Sequence, residues 1–534
     1  MIYQFVHGGL PQELMFLDSK EAIKHLRNYL GNFLLDPVTS KVYLARFLRE
    51  EKIDDETGFW IQYLINKCCE LDPINIQLRE LRQQLTGKND PHLELLKIYS
   101  SPPAIRDKIS DLDHLSFDKQ RRVIWSLLKD HPYWVDLIWK AYMLDFYQNL
   151  PVASDWSKLV KIPSELTRTF EELAMQLCFL QEDIERAYFY YEKTKTYKNH
   201  SCQWLNCAAE IANIIGDKTS ALNYYEESLK CDPNQKPIVF RIKEIASPLK
   251  TYPHIINEVS TGIFIYSYNK CDKLETTLLS LANSELGRAH IAILLNGCSD
   301  NSYEMVQNIN EKYFRNSIQI ISLPVNIGAQ AARNWLINTE IGKTSDFVAF
   351  LDDDVVIQPD WLITLLSAIR NYPKAGVIGS KVVFPGKPKR LQYLYRNISV
   401  AKENLIRLSL DTPNFNYDYK TYDFVRPTTT VMGCCHLLTR KALDSEVYFD
   451  IRFSPSQMDD IAHDLDLRIK GFDVIYCGLV ECIHHQTSGI GNDRVIDLNK
   501  YGNVLGNDVK FFYRFYPYLE FLKKENNLDS HFLS

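Results

Sequence analysis

The sequence predicts two unlike halves: an all-helical N-terminal half, and a C-terminal α/β half built on a mostly parallel sheet. Three observations predict this. Residues 1–250 hold six glycines (Gly8, Gly9, Gly31, Gly58, Gly87 and Gly216) while the other 284 residues hold fifteen; helix interiors avoid glycine, and tight turns between strands use it. Within the first half, Glu185-Arg-Ala-Tyr-Phe-Tyr-Tyr-Glu192 is echoed by Thr219-Ser-Ala-Leu-Asn-Tyr-Tyr-Glu226, so that Ala187 and Ala221, Tyr190 and Tyr224, Tyr191 and Tyr225, and Glu192 and Glu226 each stand 34 residues apart. From about residue 258, short apolar runs alternate with amphipathic stretches, the pattern of strands joined by helices that cover both faces of a sheet.

The 34-residue interval resembles the tetratricopeptide period, in which a small residue lets the two helices of a hairpin approach closely. Gly216-Asp217 fits the turn between two helices, Asp232-Pro233 fits the exit of the second, and Cys69-Glu-Leu-Asp-Pro73 fits a further exit. We therefore expect a helical region over 1–160, tetratricopeptide-like repeats over 161–250, and the α/β domain over 256–534. Arrays of such hairpins present a concave surface that holds a peptide or a protein. Tyrosine on a helical stripe is more often core packing than a binding groove.

In the α/β half, Gly262–Tyr266 reads as a strand ending in Ser267-Tyr268-Asn269, followed by a helix with Leu274, Leu278 and Leu281 on one face. His290–Leu295 reads as a second strand, ending in Asn296-Gly297-Cys298-Ser299-Asp300, and Ile318–Leu323 as a third. Asn326-Ile-Gly328 then opens a helix carrying Ala332, Arg333 and Asn334, and a fourth strand, Phe347–Leu351, runs into Asp352-Asp353-Asp354. Ligands of such sheets bind at the carboxyl ends of strands, where all four polar clusters fall. Three successive carboxylates repel one another unless a cation sits among them. An oxygen-rich site suits a hard divalent ion, Mn²⁺ or Mg²⁺, which stabilises a diphosphate leaving group. A plain polar turn is the alternative, and the apolar Val355-Val356-Ile357 beyond the acids argues against it.

Residues from about 260 to 490 resemble a family-2 inverting glycosyltransferase of the GT-A fold. The resemblance rests on Ser267-Tyr268-Asn269, Asn326-x-Gly328 with Ala332-Arg333-Asn334, Leu351-Asp352-Asp353-Asp354, Pro359-Asp360-Trp361-Leu362 and Gly433-Cys434-Cys435-His436-Leu437-Leu438-Thr439-Arg440, in that order. It implies a nucleotide-sugar donor held by Ser267, Tyr268, Asn269, Asn296, Asn326, Gly328, Arg333, Asp352 and Asp353, with a metal ion held by Asp352, Asp354 and His484. His484 is preferred to its neighbour His485, and a zinc site from Cys482, His484 and His485 is the alternative. One position departs from the family: where it often places a base-reading aspartate, this chain has Leu295 and Asn296. Inverting transfer needs a carboxylate to take the acceptor proton. The family places it in an acidic pair about a dozen residues before a glycine; Met458-Asp459-Asp460-Ile461 stands at that distance from Gly471. Asp460 is the expected base, with Asp459 beside it, and the rivals Asp464 and Asp466 are expected on a solvated helix face.

The composition fits a globular chain: 534 residues, 46% hydrophobic, 24% charged, net charge −6. That balance gives no general reason to bind nucleic acid or an anionic surface. No apolar run reaches 18 residues, so no membrane-spanning helix is expected. The N-terminus lacks the pattern of a secretory signal, and the twelve cysteines form no C-x-x-C; a cytoplasmic protein with reduced thiols is expected. The aromatic tail Phe511–Leu519 is expected to pack on the domain, with Pro517 interrupting its helix. The size of the helical half favours a protein acceptor; a saccharide or lipid-linked glycan is the alternative, as is a scaffold with an inactive transferase domain. Dimerisation is another use for the helical half, which would make the chain a homo-oligomer.

Overall fold

The computed structural model describes residue 14 and residues 17–316, 318–395, 398–402, 405–408, 416–455, 457–486 and 498–525. Helices occupy the first half from Ser19–Leu30 to Lys236–Ala246. The echoed segments form two hairpins, Thr167–Leu180 with Ile184–Thr194, and Cys202–Ile214 with Lys218–Cys231. Their correspondence extends beyond the matched letters. Asp183 and Asp217 both cap the second helix, accepting from the backbone N–H of Arg186 and Ser220, as N-cap aspartates do. The turn residue before each is left-handed, with φ 60° at Glu182 and 88° at Gly216. Ala187 and Ala221 are wholly buried between the paired helices, as are Tyr191 and Tyr225, the former nearly so.

Among the described residues the α/β half holds twelve strands: β1 Thr261–Ser267, β2 His290–Asn296, β3 Ile318–Leu323, β4 Phe347–Leu351, β5 Val355–Ile357, β6 Ala375–Val383, β7 Leu391–Tyr393, β8 Ile398–Lys402, β9 Leu405–Leu408, β10 Val425–Thr428, β11 Cys435–Thr439 and β12 Asp473–His484. Ten of them form one sheet in the order β10-β12-β6-β11-β4-β1-β2-β3, with β5 on β12 and β7 on β6; β8 and β9 pair separately. The expected parallel ladder is present in β3-β2-β1-β4, but the sheet as a whole is mixed. The correction comes from β11, which enters antiparallel between β4 and β6. Its first residue, Cys435, faces Leu351 at the end of β4. The Asp352 N–H then donates to the Cys434 carbonyl at 2.9 Å, so the reversed strand brings the Gly433 backbone beside the acids.

Apolar side chains fill both sheet faces, and one of these cores continues without a break into the helical half. Phe33 stacks on Tyr395 at 5.1 Å and Phe240 on Phe424 at 5.3 Å. The segment Tyr417–Phe424 acts as a strap. Tyr417 meets Phe146 and Tyr419 meets Phe179; the Tyr422 hydroxyl accepts from Leu34 N–H at 2.9 Å; and the Asp423 carbonyl accepts from Arg241 at 2.6 Å.

The C-terminal helix Leu498–Phe515 gives way at Pro517 to a short 3-10 turn and then to Leu519–Glu525. Phe511, Phe515 and Leu522 are buried against Phe453, Ile461 and Leu465, so the tail packs on the helix Asp459–Ile469. The fold corrects the expectation that two acids of that helix, Asp464 and Asp466, lie on a solvated face. Asp464 is only 3% exposed and accepts from Val431 N–H at 2.8 Å; Asp466 is half-buried and paired with Arg514 of the tail. Among the described residues, no helix is long and apolar enough to cross a membrane.

Candidate active site

The acids after β4 lie at the carboxyl ends of β1, β2 and β4. Asp353 points inward: the Ser267 hydroxyl donates to it at 2.7 Å, and the Lys270 ammonium bridges it and Asp354 at 3.0 Å each. Burial pushes the Asp353 carboxyl up to about 6, against the pull of Lys270. Burial also opposes the charge of Asp354, but the hydrogen bond and charge of His484, together with Lys270, outweigh it and hold that carboxyl well below its usual range.

Asp352, Asp354 and His484 converge. Each offers a ligand atom, and these atoms lie within 4.8 Å of one another; among the described residues no other set of three or more such side chains does so. The pairing of β5 with β12, which sets His484 opposite Val355, delivers the imidazole. Its Nε2 lies 3.1 Å from Asp354 and 3.9 Å from Asp352. Two carboxylates and an imidazole are a fitting donor set for a divalent ion, and the mixed oxygen–nitrogen chemistry suits Mn²⁺ at least as well as Mg²⁺. Cys482, the thiol of the zinc alternative, is buried in the apolar core instead.

Arg333 ties this group to the acidic pair. One guanidinium nitrogen donates to Asp459 at 2.6 Å; the other lies 3.4 Å from Asp352 and 3.3 Å from the Gly433 carbonyl. The guanidinium lies 5.2 Å from the Tyr266 ring and 5.0 Å from the Phe449 ring. Burial disfavours its charge, but the Tyr266 hydroxyl and the carboxylates of Asp459, Asp352 and Asp460 overcome this and hold it protonated. Burial likewise pushes the Asp459 carboxyl up, while Arg333 pulls it down. Asp460 is half-exposed at the start of its helix and accepts from Gly433 N–H at 3.1 Å. The two residues before the pair, Gln457 and Met458, are both left-handed, with φ 76° and 67°, a backbone strain that clusters at functional sites. Gly433 sits in a tight spot. A Cβ there would lie 3.0 Å from the Asp460 Cβ and 3.2 Å from the Arg333 guanidinium.

The remaining residues expected from the resemblance frame the cleft. The Asn269 side chain accepts from Ser299 N–H at 2.8 Å, joining the turns after β1 and β2. Asn296 is buried and serves the loop after β3: its amide donates to Asn326 at 2.9 Å and accepts from Ile327 N–H at 2.9 Å. Asn326 in turn accepts from Gly328 N–H at 2.8 Å. Gly328 has φ 86°, and a Cβ there would lie 2.6 Å from the Ser454 hydroxyl. Tyr268 is 49% exposed at the cleft edge. Sequence reasoning missed Lys270, whose signal was a lone cation directly after Ser267-Tyr268-Asn269. It also missed Tyr266, which donates to Asp352 at 3.3 Å, and Gln392, for which the sequence carries no signal.

Residues 262–447 match the model of Glycosyl transferase family 2. A curated relative, the poly-beta-1,6-N-acetyl-D-glucosamine synthase of Staphylococcus aureus strain MSSA476, is 23% identical over 248 residues, 45% of this chain and 54% of the relative. The chain thus spans about half the length of the curated relatives it matches. Two solved structures are partly similar. GalNAc-T7 with UDP, GalNAc and Mn²⁺ gives a TM-score of 0.37 at 12% identity, over 50% of this chain and 54% of that one. The mannosyltransferase PcManGT from Pyrobaculum calidifontis with GDP-Man and Mn²⁺ gives 0.34 at 12% identity, over 59% and 88%. The similarity to family 2 glycosyltransferases thus falls within the α/β half.

Proposed function

We propose that the protein is an inverting glycosyltransferase that moves a sugar from a nucleotide sugar to an acceptor hydroxyl. The observation that carries this reading is the meeting of Asp352, Asp354 and His484 in one group, with Arg333 linking it to Asp459 and Asp460. Asp352, Asp354 and His484 would hold a divalent ion, Mn²⁺ or Mg²⁺, which when bound would neutralise charge on the donor diphosphate. Ser267, Tyr268, Asn269, Asn326 and Gly328 line the donor side, and Asn296 fixes the loop that carries the last two. Asp353 and Lys270 hold the floor of the acid cluster. The half-exposed Asp460 takes the acceptor proton as the acceptor oxygen bonds to the anomeric carbon, and the bond from that carbon to the diphosphate breaks with its electron pair leaving on the nucleoside diphosphate. Asp459, neutralised by Arg333, keeps the pair in place.

The acceptor is read as a protein held by the helical half, because binding energy remote from the reacting hydroxyl positions it for attack. A saccharide acceptor is the second reading. The core shared by the two halves gives the helices a structural use that needs no bound protein, and the relative's name concerns a poly-N-acetylglucosamine. The test is turnover across a panel of nucleotide sugars, beginning with nucleotide-linked N-acetylglucosamine, with protein and oligosaccharide acceptors. One donor should be turned over, lost in excess EDTA and restored by Mn²⁺ or Mg²⁺. Full activity in EDTA would remove the metal; no turnover of any donor would remove the activity.

A further inference from the structure

His484 leaves β12 with both ring nitrogens engaged. Nε2 faces Asp354 and Asp352, while Nδ1 lies 2.9 Å from the side-chain oxygen of Gln392 on β7. Gln392 is 5% exposed, and its amide nitrogen donates to the Gln486 side-chain oxygen at 2.6 Å. In this arrangement the amide oxygen of Gln392 faces the imidazole. With that oxygen facing it, Nδ1 carries a proton; a divalent ion held by Asp352 and Asp354 would then meet the Nε2 lone pair, in place of the Nε2–H that Asp354 otherwise accepts. With an apolar residue at 392 the opposite tautomer would gain, because an Nε2–H could donate to Asp354 and the lone pair would turn away from the site.

The position of Gln392 is itself determined. β7 pairs with β6 through Leu391 and Tyr393, and Leu391 N–H donates to the Asn416 carbonyl at 2.7 Å. Lys389, just upstream, pairs at 2.8 Å with Glu481 of β12 and at 2.8 Å with Glu182, the left-handed turn residue of the first hairpin. The strand bearing Gln392, the strand bearing His484 and the helical half are thus tied through one ammonium group.

We propose that Gln392 is a positioning residue that sets the tautomer and orientation of His484, and so the affinity of the Asp352–Asp354–His484 group for a divalent ion. The proposal rests on the metal reading above. Partners that orient a ligating histidine typically account for 10–100-fold in metal affinity. The experiment is direct titration of the full-length protein with Mn²⁺, reading free Mn²⁺ by electron paramagnetic resonance, for wild type, Gln392→Leu, Gln392→Glu and His484→Ala. Wild type should bind, and His484→Ala should bind weakly. Gln392→Leu should lose about 10–100-fold in affinity, and its turnover should return when Mn²⁺ is raised by that factor. Gln392→Glu, whose carboxylate also accepts from Nδ1–H, should bind at least as tightly as wild type. Nitrogen-15 spectra of histidine-labelled, metal-free protein should show a proton on Nδ1 of His484 in wild type and Gln392→Glu, and its loss in Gln392→Leu alone. If Gln392→Leu binds Mn²⁺ like wild type while His484→Ala does not, the role of Gln392 is overturned and the metal site stands. Should Gln392→Leu fail to fold, weakened binding by Gln392→Glu overturns the role instead. If wild type binds no Mn²⁺, the metal reading falls and takes this proposal with it.

Discussion

Glu210 in the helical half and Asp354 in the α/β half are both buried carboxylates, yet they are neutralised in different ways. Glu210 accepts from the Tyr225 hydroxyl and from two nitrogens of Arg241, at 2.7 and 2.8 Å. One anion there meets one cation and one hydroxyl, and the group is complete. In the cleft, Asp352, Asp353, Asp354, Asp459 and Asp460 are served by Lys270, Arg333 and His484. The carboxylates outnumber the permanent cations, and like charges at such range disfavour one another's ionisation. A balanced buried charge reads as structure; an excess of one sign in a cleft reads as a site that receives a counter-charge. The two kinds of cluster are joined, because Arg241 also holds the strap whose continuation, β10 and the loop to Gly433, ends at Asp460.

The contrast can be broken at several points. The largest effect is expected from deleting residues 1–255, which would strip Phe33 from Tyr395 and Phe240 from Phe424. The remaining domain should fail to give a cooperative thermal transition; a soluble, cooperatively folding fragment with full turnover would show that the shared core is dispensable. Next is Glu210→Leu, which leaves Arg241 buried without its partner and should cost about 3–5 kcal/mol in denaturant unfolding. Glu210→Leu with Arg241→Met should recover much of that loss, since replacing both members of a buried pair is often nearly neutral. A double variant as unstable as the single one would contradict the balanced-pair reading.

Gly433→Ala tests the cleft. The methyl group meets Asp460 and Arg333 at 3.0 and 3.2 Å, and displacing a positioned base can cost about 10²-fold in rate. Turnover should fall by that order with little change in melting temperature, and unchanged kinetics would mean that Asp460 is not held by this contact. The smallest effect concerns Glu182, whose carboxyl is pulled down to about 2, with Lys387 and Lys389 overcoming the opposing effect of burial. A depressed folded-state value means that its stabilisation is present above the ordinary carboxylate value and is lost as pH falls toward 2. Glu182→Gln should therefore lower the melting temperature slightly at neutral pH and converge with wild type in acid. A difference that persists unchanged at pH 2 would exclude the ion pairs as its source.

Much of this was legible in the sequence where the pattern is local. β1–β4 are short apolar runs that end in polar clusters, and the strand-to-acid junction at Asp352 is visible in four letters. β6 was hidden although every residue of it is buried, because Gly376, Gly379, Ser380 and Lys381 break the apolar run. Its glycines answer to long-range packing: a Cβ at Gly379 would lie 2.6 Å from Val431, and one at Gly376 2.9 Å from Phe472. Lys381 is tolerated there because Asp418 and Asp423, each at 2.6 Å, arrive from the strap, some forty residues on. Asp464 misled for a related reason. An acid in mid-helix looks solvated, and only the fold reveals that Val431 N–H needs it. The antiparallel entry of β11 has no local signature either, since strand direction is set by the connection and not by the strand.

The most direct test of the account is the single-turnover rate of sugar transfer by Asp460→Asn beside Asp464→Asn, with nucleotide-sugar affinity measured on the same preparations. A positioned base is worth about 10²–10⁴ in rate. Asp460→Asn should lose transfer by that order and keep its donor affinity, whereas Asp464→Asn should mainly lower thermal stability. If Asp460→Asn transfers sugar at the wild-type rate, or Asp464→Asn alone abolishes transfer in a folded protein, the assignment of the base and the reading of the cleft built on it are contradicted.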